Sequence, residues 1–283
     1  MGAQDSSRRD PPPPPPTLDT VSIKLDADHG VVLIKFNRPK SGNALNRAAF
    51  KDMLAALQWA ASHPRVRVIV QSGEGKFFTA GLDLLDGVND DPNTVLPDET
   101  IRTLDAYHKL LITTTDKIFI AAVNGPGIGY GTSSIALFDL VYAVPDAYFF
   151  TPFVKWGLCA EACSSYTFAR TLGRQKASAL ILGDERVTAA ELERAGLITK
   201  IIEPQNFLQE VMTVAYRIAK LPPKTLMANK ELMTRPFRED LLRANESELK
   251  LLTQAARGQE ARQAIQAFAE EQQRKKAKTK AKL

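Results

Sequence analysis

The stretch GLCAEACSSYTFARTLG (residues 157–173) holds a single acid, Glu161, set among Gly, Ala, Cys and Ser with an apolar helical pattern behind it. Carboxylates are seldom buried without a partner, so two readings stand side by side. A negative side chain at a helix N-terminus is stabilised by the macrodipole and the free N–H groups there. A carboxylate in an apolar setting is also a candidate general base. Two glycine-rich segments, FFTAGLDL (77–84) and VNGPGIGYGTSS (123–134), each follow a strand-like run. Glycine permits unusual backbone angles and close approach of a ligand to backbone N–H groups. Two such loops can grip one oxygen from two sides, an arrangement that stabilises charge developing on an acyl oxygen. A dinucleotide site does not fit, because Gly125 and Gly127 put the third glycine position at Tyr130. There is no P-loop Lys-Ser/Thr, no G-x-S-x-G elbow, no H-E-x-x-H and no Cys with a downstream His. Acid–base chemistry by a carboxylate is what remains.

The elements that must position these residues alternate. VSIKLDADHGVVLIKFNRP reads as a β-hairpin turning at Asp28-His29-Gly30 and stopped by a proline. Residues 46–62 recur at helical spacing, with Asn46 as a cap. VRVIVQSGEG is a strand entering a glycine loop, residues 99–115 are helical, and KIFIAAVNG is a buried strand. The helical stretch TSSIALF, strand DLVYAV, a helix near 174–182 and strand ITKIIEP follow. This order predicts an α/β body with helices on the sheet faces. From 206 the pattern is helical to about 272, with breaks at Pro222-Pro223 and Pro236. The predicted organisation is a proline-rich disordered tail over 1–18, a core over 19–205, a helical region over 206–273 and a basic tail over 274–283.

Composition narrows the class. The chain has 283 residues, 44% hydrophobic and 24% charged, enough for one large core. Its net charge of +5 is concentrated in residues 274–283, which hold six Lys or Arg and no acid. A nucleic-acid surface needs basic residues spread over an ordered face with aromatics between them, and none is evident. Cys159 and Cys163 suit small buried thiols in a reducing compartment better than a disulfide framework or a zinc site. No apolar run is long enough to span a bilayer, and MGAQDSSRRDPPPPPPT lacks the apolar region of a secretory signal. The six prolines form a stiff extended spacer. The last three residues, Ala281-Lys282-Leu283, are a small–basic–Leu tripeptide like the SKL address read by the peroxisomal import receptor.

VNGPGIGYG, FDLVYA, TPFVKWGL, AEACSSYTF and AGLITKII, in that order across roughly residues 20–272, resemble the crotonase (enoyl-CoA hydratase/isomerase) superfamily. TPF, CSSYTF and AKLPPKTL are most similar to its peroxisomal delta-3,delta-2-enoyl-CoA isomerase branch. The resemblance implies a crotonase-like α/β spiral of ββα units with a C-terminal helical trimerisation region. It implies isomerisation of 3-enoyl-CoA to trans-2-enoyl-CoA in peroxisomal fatty-acid β-oxidation. Glu161 would carry the proton from the α- to the γ-carbon, and the backbone N–H groups of Leu82 and Tyr130 would form the oxyanion hole. The acyl-CoA substrate would lie along Thr79, Ala80, Gly81, Leu82 and Asp83, near Lys40, Ala44 and Leu45, with Phe268 as the C-terminal aromatic. No metal and no cofactor apart from the CoA of the substrate is implied, and the assembly would be a homotrimer or hexamer in the peroxisomal matrix.

Two departures from the pattern are expected to matter. The two hydratase glutamates fall here on Ser133 and Phe153, which are not bases at neutral pH. Isomerases show Glu-Gly where this chain has Glu161-Ala162, and alanine narrows the backbone freedom beside the base. The alternatives are a relative acting on an unusual acyl-CoA in secondary metabolism, and a non-catalytic acyl-CoA-binding or assembly protein.

Overall fold

The computed structural model describes residues 13–86 and 93–280. The hairpin is formed by β1 (Val21–Asp26) and β2 (Val31–Phe36), antiparallel with Val21 opposite Phe36. Helix α1 (Arg47–Ser62) starts where Asn46 accepts the Ala49 N–H at 2.9 Å, satisfying one of the free donors of the first turn. Strand β3 (Val68–Gly73), helix α2 (Asp98–Thr113) and strand β4 (Ile118–Val123) follow. β3 and β4 are buried along their whole length and pair in parallel, Val68 opposite Ile118, which is why both read as nearly unbroken apolar runs.

Beyond β4 come β5 (Gly127–Ile128), the single turn α3 (Tyr130–Ser133), β6 (Leu140–Ala143) and β7 (Tyr148–Phe150). Then follow α4 (Ser164–Leu172), α5 (Arg174–Ile181), β8 (Val187–Thr188), α6 (Ala189–Arg194) and β9 (Lys200–Ile201). The main sheet runs β1-β2-β3-β4-β6-β9, and β5-β7-β8 form a smaller one. This is the crotonase-like mixture of sheet and helix expected from the motifs.

Three helices complete the chain: α7 (Phe207–Ala219), α8 (Pro223–Ala256) and α9 (Gln259–Lys280). α7 lies on β2, β3 and β4, burying Phe207, Val211, Ala215 and Ile218, so the helical region begins on the core itself. α8 packs on α2 and α4, and α9 meets the 3-10 turn Val154–Trp156. Among the described residues no helix is long and apolar enough to cross a membrane.

Several expectations need correction. Pro236 does not break the chain, because α8 runs straight through it. Proline removes one N–H bond and crowds the carbonyl four residues back. Here both Pro236 and Leu232 are exposed, so the freed carbonyl faces solvent, and buried Lys230 and Asn245 anchor the helix on either side. Helix continues to Lys280 rather than ending near 272, carried by i,i+4 pairs such as Glu271–Lys275 at 2.6 Å. The strand in ITKIIEP shrinks to Lys200–Ile201, which pairs with Tyr142–Ala143. Nor does the proline-rich segment stand wholly clear: Trp59 Nε1–H donates to the Pro13 carbonyl at 3.0 Å, and Leu18 packs on the core. Ala281-Lys282-Leu283 and the first twelve residues lie outside the described residues.

Candidate active site

The two glycine loops meet. Leu45 bridges Leu82, and Thr79 bridges Gly127, so one loop is threaded between α1's approach and the second loop. The Leu45 N–H donates to Gly81 O at 2.7 Å, Asp83 N–H to Leu45 O at 3.0 Å and Ile128 N–H to Thr79 O at 2.9 Å. Gly81 has φ +79°, and a Cβ there would stand 2.5 Å from Ile128 O and 3.4 Å from the Tyr130 nitrogen. Only glycine permits that approach. Leu82 N–H follows it directly, and Tyr130 N–H opens α3. Neither N–H donates to a protein group among the described residues. Two adjacent loops therefore present two free donors, a pairing able to stabilise charge developing on an acyl oxygen.

Glu161 lies on the segment between the Val154–Trp156 turn and α4. Its side chain makes no hydrogen bond or ion pair among the described residues, and the residue keeps partial solvent access. Burial, and then the negative charge of Glu248, push its carboxyl up to about 8. Its charge is also felt at Tyr130 and Cys159.

The backbone that carries Glu161 is unusual. Ala162 (φ +53°) and Cys163 (φ +60°) are consecutive non-glycine residues in the left-handed region, and both are fully buried. Each carries a cost of about 1–2 kcal/mol there, so outside contacts must hold them. Glu248, reaching in from α8, accepts the N–H of Cys163 at 2.7 Å, the N–H of Ser165 at 2.8 Å and the Ser165 hydroxyl at 2.5 Å. It caps α4 from another helix, and the Cys163 thiol donates to Leu241 O at 3.3 Å on the same helix. Both thiols are unpaired; burial raises Cys159 to about 12 and pushes Cys163 higher still.

The other expected residues divide. Thr79 is fully buried, its hydroxyl donating to Asn43 O at 2.7 Å and accepting Gly81 N–H at 3.0 Å. Ala44 and Leu45 are buried too, so the surface open to a ligand along this segment comes from Ala80, Leu82 and Asp83, with Lys40 exposed nearby on the turn Pro39–Ser41. Asp83 is engaged by Arg38 at 3.0 Å, and the same guanidinium holds the Ala44 carbonyl. Phe268 meets Trp156 of its own chain edge-on at 5.1 Å, five residues before Glu161. Gly157 (φ +62°) lets α9 come this close, since a Cβ there would lie 2.5 Å from Ala261 N. Ser133 is buried with its hydroxyl on the Gly129 and Tyr130 carbonyls, and Phe153 is buried.

Sequence reasoning missed Glu248, Asn245 and His108. The ring Nδ1 of His108 lies 2.7 Å from Asn245 Oδ1 and its Nε2 lies 3.2 Å from the Tyr130 hydroxyl. Asn245 Nδ2 donates to Asp105 at 2.8 Å. Burial lowers His108 to about 4. No local pattern marks these residues, because their partners lie on other elements.

Residues 26–278 match the family described as Enoyl-CoA hydratase/isomerase. The Rattus norvegicus protein named Enoyl-CoA delta isomerase 2 is 33% identical over 88% of this chain and 64% of its own length, so the chain spans less than two thirds of that relative. Mus musculus "Enoyl-CoA delta isomerase 3, peroxisomal" is 31% identical over 81% of this chain and 72% of its own. An Escherichia coli relative named 2,3-dehydroadipyl-CoA hydratase is 30% identical over 84% of this chain and 91% of its own. The solved structure of Pseudomonas aeruginosa OdaA superposes with a TM-score of 0.80 at 30% identity, covering 88% of this chain and 98% of that one.

Proposed function

The chain belongs to the enoyl-CoA hydratase/isomerase family, and on that premise we propose that it isomerises 3-enoyl-CoA to trans-2-enoyl-CoA with Glu161 as the single base. The observation that carries this reading is a carboxylate with no hydrogen-bond partner among the described residues, whose charge is felt at Tyr130, one of the two loop residues that present a free backbone N–H. Glu161 takes a proton from the α-carbon. The C–H electrons form a C1–C2 double bond and the thioester oxygen becomes an enolate, held by the N–H groups of Leu82 and Tyr130. The same carboxyl then returns the proton to the γ-carbon, the C1=O bond reforms, and the double bond rests between C2 and C3. No atom is gained or lost, and no water or second acid takes part.

A hydratase needs a second carboxylate to activate water, and the E. coli relative makes this the rival reading. Among the described residues Glu248 is the acid whose charge is felt at Glu161, but its oxygens are occupied by two backbone N–H groups and a hydroxyl. Ser133 and Phe153 supply no acid. We assign the substrate to fatty-acid β-oxidation and the protein to the peroxisomal matrix, on the likeness to the peroxisomal relative. The assembly is proposed as a homotrimer or hexamer, and light scattering reads it directly.

The test is a spectrophotometric assay with trans-3-hexenoyl-CoA beside crotonyl-CoA, on the wild type and Glu161→Gln. Conjugation that depends on Glu161, with little hydration of crotonyl-CoA, is expected. Hydration faster than conjugation, or full turnover in the variant, overturns the reading.

A further inference from the structure

Asn245 and Glu248 are both buried polar residues, one turn apart on α8, and each reaches a different half of the site. Glu248 holds the strained segment that carries Glu161, through Cys163 and Ser165. Asn245 begins a chain of hydrogen bonds whose direction is forced at every link. The Asp105 carboxylate only accepts, so Asn245 Nδ2 donates to it and Asn245 Oδ1 must accept. His108 therefore carries its proton on Nδ1, and its Nε2 accepts the Tyr130 hydroxyl. The Tyr130 ring is further fixed by stacking on His108 at 5.8 Å and by an edge contact with Phe50 at 5.7 Å. Tyr130 opens α3, and its own N–H is the second free donor.

We propose that this one turn of α8 is the positioning element for both halves of the catalytic machinery: Asn245 sets the oxyanion-hole residue Tyr130 through His108, and Glu248 seats Glu161 by holding a second carboxylate against the residues that follow it. The inference rests on the isomerase reading of Glu161 and Tyr130. Among the described residues the groups that share charge effects with Glu161 are Glu248 from α8, Tyr130 from α3 and Cys159 on its own segment. Tyr130 and Cys159 are held neutral by burial; burial raises Glu248 as well, against the hydroxyl and two N–H groups that favour its ionised form, and it is the neighbouring charge that disfavours ionised Glu161. Cys163, which faces Glu248, is held neutral in the same way. His108 is neutral over the working range and contributes orientation, not charge.

The two arms have different signatures. Glu248→Gln keeps an acceptor oxygen for the loop but removes the charge, so the midpoint for ionising Glu161 moves to lower pH. Asn245→Ala and Tyr130→Phe leave that midpoint in place and lower kcat, by about tenfold for a modest displacement of the donor, with KM changed less than threefold. The experiment measures kcat and KM against pH with trans-3-hexenoyl-CoA. Alongside, the Glu161 carboxyl is titrated by carbon-13 NMR of labelled glutamate, assigned with Glu161→Gln, and the His108 tautomer is read by nitrogen-15 NMR. A fall of at least half a pH unit in Glu248→Gln, loss of the Nδ1–H tautomer in Asn245→Ala and the kcat loss together are the expected result. An unmoved midpoint, or kcat within twofold of wild type in both Asn245→Ala and Tyr130→Phe, overturns the proposal. Should Glu248→Gln not fold, Ser165→Ala removes the hydroxyl that fixes one Glu248 oxygen and must lower kcat, and kcat within twofold of wild type overturns it. The NMR readouts need no turnover: shifts in a protein that does not isomerise remove the isomerase reading and keep the clamp, whereas Glu161-dependent isomerisation without them removes only the clamp.

Discussion

The glycine loops and the Glu161 segment bring their groups to the same place by opposite means. Residues 79–82 and 127–131 use glycine to reach tight backbone geometry, so their N–H groups are placed by the chain's own freedom and by mutual pairing. Residues 161–163 adopt a comparable left-handed geometry with alanine and cysteine, and a distant helix supplies the restraint. The first device is unstrained and local. The second stores strain next to the base and depends on α8, so the two halves should respond differently to the same kind of substitution.

The contrast can be broken most severely at the base itself. Glu161→Gln should lower kcat by about 10²–10⁴-fold, the range for a positioned general base, without loss of CoA affinity as read by calorimetry. Next in size is Gly81→Ala, whose Cβ would meet Ile128 O at 2.5 Å with φ at +79°. The displaced Leu82 N–H should cost about 10²-fold in kcat, with a lower melting temperature. A third effect is on stability. The folded Glu161 carboxyl titrates near 8 against 4.5 in its ordinary state, so the native protein holds an extra proton between those values. That contribution is complete below 4.5 and lost as pH rises through about 8. Glu161→Gln should therefore be more stable than wild type above pH 8, by about 5 kcal/mol at most, and the difference should vanish toward pH 4.5.

The smallest effect sharpens the comparison most. Ala162→Gly relieves a left-handed alanine and should stabilise the fold by about 0.5–1 kcal/mol, read by chemical denaturation. Gly81→Ala destabilises while Ala162→Gly stabilises, because glycine already stands at the left-handed position of the first loop and is absent from that of the second.

The same contrast explains what could be read from the amino-acid sequence. The hairpin, Asn46 as a cap, the buried runs of β3 and β4 and the glycine loops are local patterns, and they are found where expected. Glu161 stands out because its surroundings are so poor in charge. Glu248 and Asn245 do not, because ANESELK on α8 reads as the polar face of an amphipathic helix. Their partners are 85 and 137 residues away, a distance at which spacing carries no information. Pro236 misled for the converse reason. Its local rule is sound, but tertiary anchoring by Lys230 and Asn245 outweighs one lost hydrogen bond.

The clamp from α8 also orders events during synthesis. A chain emerging from the ribosome exposes its N-terminal residues first, and a domain folds as a unit. The glycine loops can pair as soon as residue 128 is available, since Ile128 N–H bonds Thr79 O. The base arrives soon after, but the acid that seats it is not made until residue 248. A chain clipped before residue 248 would keep both glycine loops and Glu161 in its sequence and lack the carboxylate that holds residues 163–165.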